Sequence, residues 1–314
     1  MKLSVIIPTY NRSDLLADTI NSLCDQYLLS SEYEILVVDN NSTDDTYETV
    51  KESILKFPKN SIRYVYESRQ GDFFARNRGA EEAVGEYLVF TDDDAVFDKN
   101  YLDTILKMFE TFPTIGAVGT KIVVQWEGGT PANWIKPYEY LLGALDYKPD
   151  GFIIKSKGLY INNGSLAIKR NLYIAVGGNN PGQIGDYLIG DAEAGLCRKL
   201  HALNMAIAFT DDTVMYHRQF VGKHDTLVDI RRRVENNGIA SAFTDTYVNQ
   251  STKALPIACL YARYLYYKLT MRKRKALRTF LELCQSKKYN EYVDRYQHDE
   301  KLKSLISQTK YDWE

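Results

Sequence analysis

Residues 87–94 read YLVFTDDD, so that four apolar or aromatic residues are followed at once by a threonine and three aspartates. The run Tyr87–Phe90 has the length and the apolar character of a strand that is buried on both faces. In open α/β sheets, ligands bind at the edge formed by the carboxyl ends of the strands. The sequence therefore predicts a buried strand that delivers Asp92, Asp93 and Asp94 to the ligand-binding edge of a sheet.

The residues before this stretch alternate between short β-rich runs and helical patterns, and the alternation continues to about residue 125. Strands are predicted at Leu3–Ile7, Glu34–Val38 and Ile62–Tyr66, and a helix at 73–84. Ser42 or Thr43 is predicted to cap another helix, with two aspartates in its first turn. The alternation is typical of an α/β fold with a mostly parallel sheet flanked by helices.

The second half of the chain has a different pattern. Beyond Gly129 it is irregular and rich in aromatic residues, and it then predicts a helix at 190–200 and a last strand at 213–216 that ends at His217. From about residue 226 the chain is predicted to be helical. Residues 251–314 hold 14 Lys/Arg against 7 Asp/Glu, although the whole chain has a net charge of -2.

The composition, with 45% hydrophobic and 25% charged residues, is ordinary for a soluble globular protein. The four cysteines are widely scattered without the spacing of a metal or redox motif, which predicts free thiols in a reducing compartment. The N-terminal residues do not have the pattern of a signal peptide, and no apolar run has the length of a membrane span. We expect a cytoplasmic protein.

The three aspartates allow two interpretations. Adjacent carboxylates repel one another unless a cation or hydrogen-bond donors neutralise them, and Mg²⁺ is commonly held by one or two carboxylates plus substrate phosphates. The alternative is a solvated acidic turn before a helix that Asp98 or Asn100 caps. Asp39, which ends the second strand at the same edge, suits a nucleoside contact, although 39–42 (DNNS) also has the composition of a plain turn.

Four motifs taken together resemble the family-2 glycosyltransferases, which share the GT-A fold. In chain order they are VIIPTYNR at 5–12, ILVVDNNSTD at 35–44, Gly71 with ARNRG at 75–79, and FTDDD at 90–94. The resemblance implies a GT-A catalytic domain over 1–225, with a nucleotide-binding half to about 125 and an acceptor half from about 126. Residues 226–314 would form a helical, basic C-terminal extension.

The resemblance also implies a nucleotide-diphosphate-sugar donor, with UDP as the expected nucleotide, and an Mn²⁺ or Mg²⁺ cofactor. Asp94 would bind the ion and Asp92 the ribose, but three aspartates in a row leave the register of the Asp-x-Asp pair open. His217 is either a further metal ligand or phosphate contact, or a strand-end histidine without a role. The residues expected to contact the nucleotide are Pro8, Thr9, Tyr10, Asn11, Arg12, Asp39, Asn41, Gly71, Arg76, Asp92 and Asp93.

Inverting transfer needs a general base that deprotonates the acceptor hydroxyl. The family's Glu-Asp pair aligns with Gly190-Asp191, so Asp191 is the expected base and Glu193 is the alternative, while both carboxylates also suit a helix N-terminus. Asn163 and Gly164 resemble the family's Gly-Gly-Asn stretch beneath the donor sugar. Trp134 is expected either to stack on a sugar or to pack in the core or a lid.

The basic tail contains a stretch of 36 residues, 246–281, without an acidic residue. Its apolar and tyrosine residues recur at helical spacing, at Ile257, Leu260, Tyr261, Tyr264, Leu265 and Leu269. Packing against the catalytic domain, contact with an anionic membrane surface and a homodimer interface all fit this pattern. Membrane contact would suit a glycan or lipid-linked acceptor and a peripheral position at the inner membrane face.

The expected function is inverting, metal-dependent sugar transfer to an acceptor hydroxyl, in the synthesis of a surface polysaccharide or glycoconjugate. A sugar nucleotidyltransferase is one alternative, but it would need a glycine-rich basic loop after the first strand, where this chain has PTYN at 8–11. A non-catalytic scaffold or carbohydrate-binding protein is the other, and the intact Asp92, Asp94 and Asp191 argue against it. A nucleic-acid partner is not expected, because the tail contains no recognisable reading module.

Overall fold

A computed structural model of the chain describes residues 1–149, 151–184, 187–188 and 192–307. Its strands are β1 Leu3–Thr9, β2 Tyr33–Asp39, β3 Ser61–Tyr66, β4 Tyr87–Phe90, β5 Ala95–Phe97, β6 Ile115–Glu127, β7 Phe152–Lys155, β8 Leu166–Lys169, β9 Gln183–Ile184, β10 Tyr187–Leu188 and β11 Ala206–Phe220. In this part of the chain, nine strands form one sheet in the order β3-β2-β1-β4-β8-β6-β11-β5, with β7 also paired to β11. Strands β9 and β10 pair separately.

The α-helices are α1 Ser13–Cys24, α2 Thr46–Lys56, α3 Asp72–Glu82, α4 Tyr101–Thr111, α5 Arg170–Ala175, α6 Ala192–Ala202, α7 Leu227–Phe243, α8 Ala258–Leu269, α9 Lys273–His298 and α10 Glu300–Ser307. Two 3₁₀ helices lie at Lys136–Leu142 and Asn163–Ser165, and a π-helical turn at Thr244–Val248 continues α7.

Both faces of the central sheet are buried, which explains the continuous apolar character of its strands. Along β1, Val5 and Ile7 belong to one core with helices α1, α2 and α4, whereas Ile6 faces a second core that includes residues of α3, α5 and α6. Strands β3, β2, β1 and β4 pair in parallel, and antiparallel strands join the sheet in its second half. The predicted α/β fold with a sheet flanked by helices is confirmed.

The strand register brings three loops to one edge of the sheet. Thr9 at the end of β1 pairs with Asp39 at the end of β2, and Ile6 pairs with Phe90 at the end of β4. The loops that follow these strands therefore begin side by side. The register thus places the aspartates after Phe90 next to the ends of β1 and β2.

Several predicted boundaries were wrong; the last strand, for example, begins at Ala206 rather than at residue 213. Helix α2 begins at Thr46 rather than just after Thr43, and its N-cap residue is Asp45. Asp44 holds the turn before the helix, because its Oδ1 accepts from the Thr46 N–H and its Oδ2 from the Ser13 N–H. The last strand does not end at His217 but continues to Phe220, because the chain remains hydrogen-bonded to β6 in parallel register as far as Glu127.

The C-terminal helices pack against the end of the sheet. Ile230 and Val234 of α7 join Leu281 of α9 in a cluster with Val124 of β6 and Leu142 of the first 3₁₀ helix. This arrangement agrees with the predicted helical extension; its status as a separate domain remains a prediction.

The predicted apolar stripe around α8 divides into two sides. Ile257, Leu260 and Tyr264 are half-buried, and the Tyr264 ring lies 5.9 Å from that of Phe280 on α9. The remaining members of the stripe, Tyr261, Leu265 and Leu269, are exposed. Among the described residues, no helix combines the length and the apolar character needed to cross a membrane.

Candidate active site

A cleft of about 520 Å³ opens beside the ends of β1, β2 and β4. It contains most of the polar side chains predicted from the loops, together with side chains from β11 and α7. Its lining residues are Pro8, Thr9, Tyr10, Arg12, Asn40, Gln70, Asp72, Asp92, Asp93, Asp94, His217, Gln219, His224 and Arg233.

The cleft contains a cluster of Asp92, Asp94 and His217 in which one ligand atom of each residue lies within 4.8 Å of the others. Asp94 Oδ1 is buried, lies 3.1 Å from His217 Nε2, and has no well-aligned hydrogen-bond donor among the described residues. Two carboxylates and an imidazole suit a divalent ion such as Mn²⁺, and a buried oxygen without a donor is an available ligand. The residues present therefore fit the metal that the sequence predicts.

The backbone sets the orientation of the His217 ring. Its Nδ1 lies 2.7 Å from the carbonyl oxygen of Leu142, so Nδ1 is the donor and Nε2 points at Asp94. A backbone partner at the far nitrogen is a common way of orienting a metal-binding histidine. Burial opposes the charged form of His217, but Asp94 and Asp92 outweigh it and raise its pKa to about 9.

Asp93 faces the protein rather than the metal cluster. It is almost fully buried, its Oδ2 accepts from the Thr9 hydroxyl at 2.8 Å, and its Oδ1 accepts from Arg12 at 2.8 Å. Burial raises the pKa of Asp93 to about 7, against the effect of Arg12. Asp93 thus ties this loop to β1, and Asp92 and Asp94 are left on the side of the cluster; their assignment as the Asp-x-Asp pair stays a prediction.

Arg12 bridges the two buried aspartates. Its Nη2 donates to Asp94 Oδ2 at 2.6 Å while Nη1 donates to Asp93, and its side chain keeps about a third of its exposure. Burial disfavours ionisation of Asp94, yet His217 and Arg12 together lower its pKa to about 2. Asp94 is therefore an ionised carboxylate with one oxygen held by Arg12 and the other directed at His217.

Arg76 lies beneath the cluster instead of projecting into the cleft. Its side chain is 3% exposed, its Nη2 donates to Asp92 at 2.7 Å, and its Nε donates to Asp72 at 2.9 Å. Its Nη1 donates to the carbonyl oxygen of Thr91. In this structure Arg76 fixes the carboxylate of Asp92, so a direct nucleotide contact remains a prediction.

Directly after β2, Asn40 lines the cleft, whereas the predicted contacts Asp39, Asn41 and Asn11 are not among the described residues that line it. Asp39 accepts from the Tyr64 hydroxyl at 2.7 Å and from the Ser42 N–H at 2.8 Å. Asn41 accepts from a tyrosine hydroxyl, and Asn11 accepts from the N–H of residue 43, which joins the loops after β1 and β2. Both asparagines have positive φ angles, a backbone region that asparagine tolerates better than most residues.

Asn40 was not predicted as a site residue, and it holds the loop between β3 and α3. Its amide nitrogen donates to the Arg69 carbonyl oxygen and its amide oxygen accepts from the Gly71 N–H. Gly71, a predicted nucleotide contact, is thereby fixed at the start of α3. The position of Asn40 within a turn-like motif gave no sequence signal that separated it from its neighbours.

Gly164 lies against Asp92, and Asn163 precedes it on the 3₁₀ turn before β8; neither is among the described residues that line the cleft. A Cβ atom added to Gly164 would lie 2.6 Å from Asp92 Oδ2, so only glycine leaves room for this carboxylate. The side-chain oxygen of Asn163 is buried without a hydrogen-bond partner among the described residues. The placement is consistent with a sugar contact, which stays a prediction.

The remaining predicted site residues are the two candidate bases, Asp191 and Glu193, and the aromatic residue Trp134. Asp191 lies outside the described residues. Glu193 is half-buried in the first turn of α6, and burial raises the pKa of its carboxyl. Trp134 lines a second cavity with Tyr138 and does not line the cleft.

Three residues of the cleft wall follow His217 in the chain. Gln219 has a buried side-chain oxygen without a partner in the described part of the chain, and His224 accepts from the Phe220 N–H. Arg233 donates to Asp229 and to the Leu141 carbonyl oxygen on the first 3₁₀ helix. None of these three residues was predicted from the sequence, because nothing in its local pattern distinguished Gln219, His224 or Arg233.

The fold and this site define a GT-A-type transferase. The sequence profile described as glycosyl transferase family 2 matches residues 4–168. The chain therefore belongs to glycosyl transferase family 2, as its sequence motifs predicted.

Individual relatives agree with the family. A glucosyl-dolichyl phosphate glucuronosyltransferase of Haloferax volcanii is 25% identical over 227 residues, which cover 70% of this chain and 67% of that protein. A dolichol-phosphate mannosyltransferase of Pyrococcus furiosus is 35% identical over 134 residues, 43% of this chain and 36% of that protein. An uncharacterized glycosyltransferase of Rickettsia felis is 40% identical, but the match spans only 17% of its length.

Solved structures share the fold. The mannosyltransferase PcManGT of Pyrobaculum calidifontis, in complex with GDP-Man and Mn²⁺, aligns with a TM-score of 0.59 at 20% identity over 99% of this chain and 81% of that one. S. aureus TarS 1-349 in complex with UDP-GlcNAc aligns with a TM-score of 0.53 at 17% identity over 95% and 92% of the two chains.

Proposed function

We propose that this protein is an inverting, metal-dependent glycosyltransferase that moves a sugar from a nucleotide-diphosphate donor, with UDP as the expected nucleotide, to an acceptor hydroxyl of a glycan or lipid-linked glycoconjugate. The observation that carries the proposal is the cluster of Asp92, Asp94 and His217 in a cleft at the carboxyl edge of the sheet. The Mn²⁺-containing complex of PcManGT supports the choice of Mn²⁺ or Mg²⁺.

Asp92, Asp94 and His217 would hold the ion, which supplies a Lewis acid for the negative charge of the departing diphosphate. Arg76 keeps the Asp92 carboxylate in place, and the Leu142 carbonyl oxygen orients the His217 ring. Arg12 stands beside Asp94 at the cleft surface, where its charge can also attract a diphosphate. Asp39 and Gly71 border the adjacent end of the sheet, where the nucleoside would bind.

The base is proposed to be a carboxylate at the start of α6. Asp191 is the first choice because it aligns with the aspartate of the family's Glu-Asp pair, and Glu193 is the alternative because burial raises its pKa toward that of a general base. Asp191→Asn and Glu193→Gln separate the two. The base variant should lose sugar transfer to the acceptor while it still binds the donor, whereas the other variant should keep both.

A donor panel tests the reaction class. Purified protein is incubated with UDP-, GDP- and dTDP-sugars with and without Mn²⁺, and the released products are identified. A transferase yields nucleoside diphosphate and depends on the metal, a nucleotidyltransferase yields pyrophosphate, and a scaffold yields neither. Proton NMR of the glycosylated product then gives the anomeric configuration of the transferred sugar. A product with the same anomeric configuration as the donor would refute inversion.

We further propose peripheral contact with an anionic membrane through α8 and the turn that follows it. Leu269 is 82% exposed and Met271 is 76% exposed, and they lie between Lys268 and the basic run 272–275. Exposed apolar residues flanked by cations suit an anionic bilayer surface.

Co-sedimentation with vesicles tests the contact. Phosphatidylcholine vesicles that contain phosphatidylserine should bind the protein in low salt, and the double substitution Leu269→Ser with Met271→Ser should abolish binding. The matched control replaces two equally exposed apolar residues elsewhere, Leu55→Ser with Val228→Ser. Equal loss in both variants, or no sedimentation of the unsubstituted protein, would refute the contact.

A further inference from the structure

A second cavity of about 550 Å³ lies between the 133–140 segment and the first turns of α9. One wall is aromatic, with the rings of Trp134 and Tyr138 6.1 Å apart and in an edge arrangement. The opposite wall carries the cations Arg274 and Lys275 above the apolar Leu277. We name it the aromatic–basic cavity. Such a combination of apolar surface and charge is typical of sites for amphiphilic anions.

The positive charge of Arg274 and Lys275 is not neutralised within the described part of the chain. Glu282, the carboxylate among the described lining residues, is already bound by Arg263 and by Arg278. Arg274 and Lys275 have no carboxylate partner among the described residues; Lys275 only lies over the Tyr267 ring, at 5.7 Å from its centre. These cations do not serve helix stability either, because positive charge at the start of a helix opposes its dipole.

The cavity adjoins both the proposed membrane contact and the catalytic cleft. Arg274 and Lys275 come three and four residues after the exposed Met271. On the other side, adjacent residues of α7 line the two sites: Val234 lines the cavity and Arg233 lines the cleft. The 3₁₀ helix contributes Tyr140 to the cavity, and its Leu142 carbonyl oxygen orients His217.

We propose that the aromatic–basic cavity binds the phosphate group and the adjoining apolar chain of a lipid, and so holds a lipid-linked acceptor beside the cleft. Arg274 and Lys275 would contact the phosphate, and the rings of Trp134 and Tyr138 would cover the start of the chain. The assignment of this lipid as an acceptor rests on the proposed function; binding of an anionic amphiphile does not.

Calorimetric titration with octyl phosphate below its micelle concentration tests the site. We expect saturable binding that is at least about tenfold weaker in Arg274→Ala with Lys275→Ala, since each cation near an anion at a partly exposed surface contributes roughly a factor of five. Both side chains are exposed, so the fold should be retained. The matched control, Lys287→Ala with Lys301→Ala, removes the same charge from exposed positions outside the cavity.

Two further ligands separate the sources of the anion. Inorganic phosphate that binds as tightly as octyl phosphate would overturn the lipid assignment, and 1-octanol that binds as tightly would overturn the role of the cations. Equal weakening by the control pair would also refute the site.

Thermal stabilisation by UDP with Mn²⁺ is measured on the same variants and should be unchanged by the Arg274–Lys275 pair. If UDP with Mn²⁺ did not stabilise the unsubstituted protein, the proposed function would be contradicted. If only octyl phosphate failed to bind, the lipid site in the aromatic–basic cavity alone would be contradicted.

Discussion

Replacement of Arg76 tests whether a buried cation holds the cluster of Asp92, Asp94 and His217 in place. Arg76→Gln removes the guanidinium that contacts Asp92 at 2.7 Å and Asp72 at 2.9 Å. Removal of one partner of a fully buried ion pair costs about 3–5 kcal/mol. Because Asp92 keeps 29% of its exposure, water compensates for part of this loss, and we expect a decrease of about 2–3 kcal/mol in the free energy of unfolding.

The matched control removes the other carboxylate from the same guanidinium. Asp72 is 59% exposed, so Asp72→Asn should cost less than about 1 kcal/mol. Urea unfolding at constant pH measures both variants. If Asp72→Asn destabilised the protein as much as Arg76→Gln, the buried contact with Asp92 would not be the source of the effect.

The same substitution has a second expected result at the cluster. Residues that orient metal ligands from behind typically change metal affinity by about 10–100-fold when they are removed. Arg76→Gln should therefore weaken Mn²⁺ binding in the presence of UDP by about tenfold or more, and Arg76→Lys should recover part of it. Unchanged Mn²⁺ affinity in a folded Arg76→Gln protein would refute the positioning role.

Two other changes test the surroundings of the cluster. Gly164→Ala should lower Mn²⁺ affinity and cost about 1–3 kcal/mol of stability, because its Cβ would lie 2.6 Å from Asp92; Gly182→Ala, where a Cβ meets nothing within 4 Å, should change neither. Equal effects would show that the contact is irrelevant. Because the fold raises the pKa of His217 to about 9 from 6.5, its charge stabilises the metal-free protein below about pH 6.5, and this contribution is lost as the pH rises through 9. In EDTA, His217→Gln should therefore lower the free energy of unfolding more at about pH 6 than at about pH 10. An equal decrease at both pH values would contradict a charged His217 in the metal-free protein.

The sequence predicted the parts of the fold that depend on local pattern. Tyr87–Phe90 and the first strands were found because a strand buried on both faces has to be apolar throughout. Pro8 and Asp39 lie in the last residues of such strands, and Asp92 follows one directly. Parallel strands in register then bring these residues together. The grouping of these residues at one edge of the sheet could therefore be predicted from the sequence alone.

The remaining parts depend on contacts between distant residues. The inward direction of Asp93 is set by Thr9 and Arg12, more than 80 positions earlier in the chain, and no local pattern distinguishes it from Asp92 or Asp94. The extension of the last strand beyond His217 depends on its pairing with β6. For the same reason no sequence pattern indicated that Gln219 would be buried in the cleft wall.

The proposed sugar transfer requires a divalent ion bound by the cluster of Asp92, Asp94 and His217. Calorimetric titration of Mn²⁺ in the presence of UDP should show one tight site in the unsubstituted protein and at least about tenfold weaker binding in Asp94→Asn. Asp25→Asn, which removes an exposed carboxylate on another part of the surface, is the control and should bind Mn²⁺ normally. Equal Mn²⁺ affinity in the Asp94→Asn and unsubstituted proteins would contradict binding of the ion by this cluster.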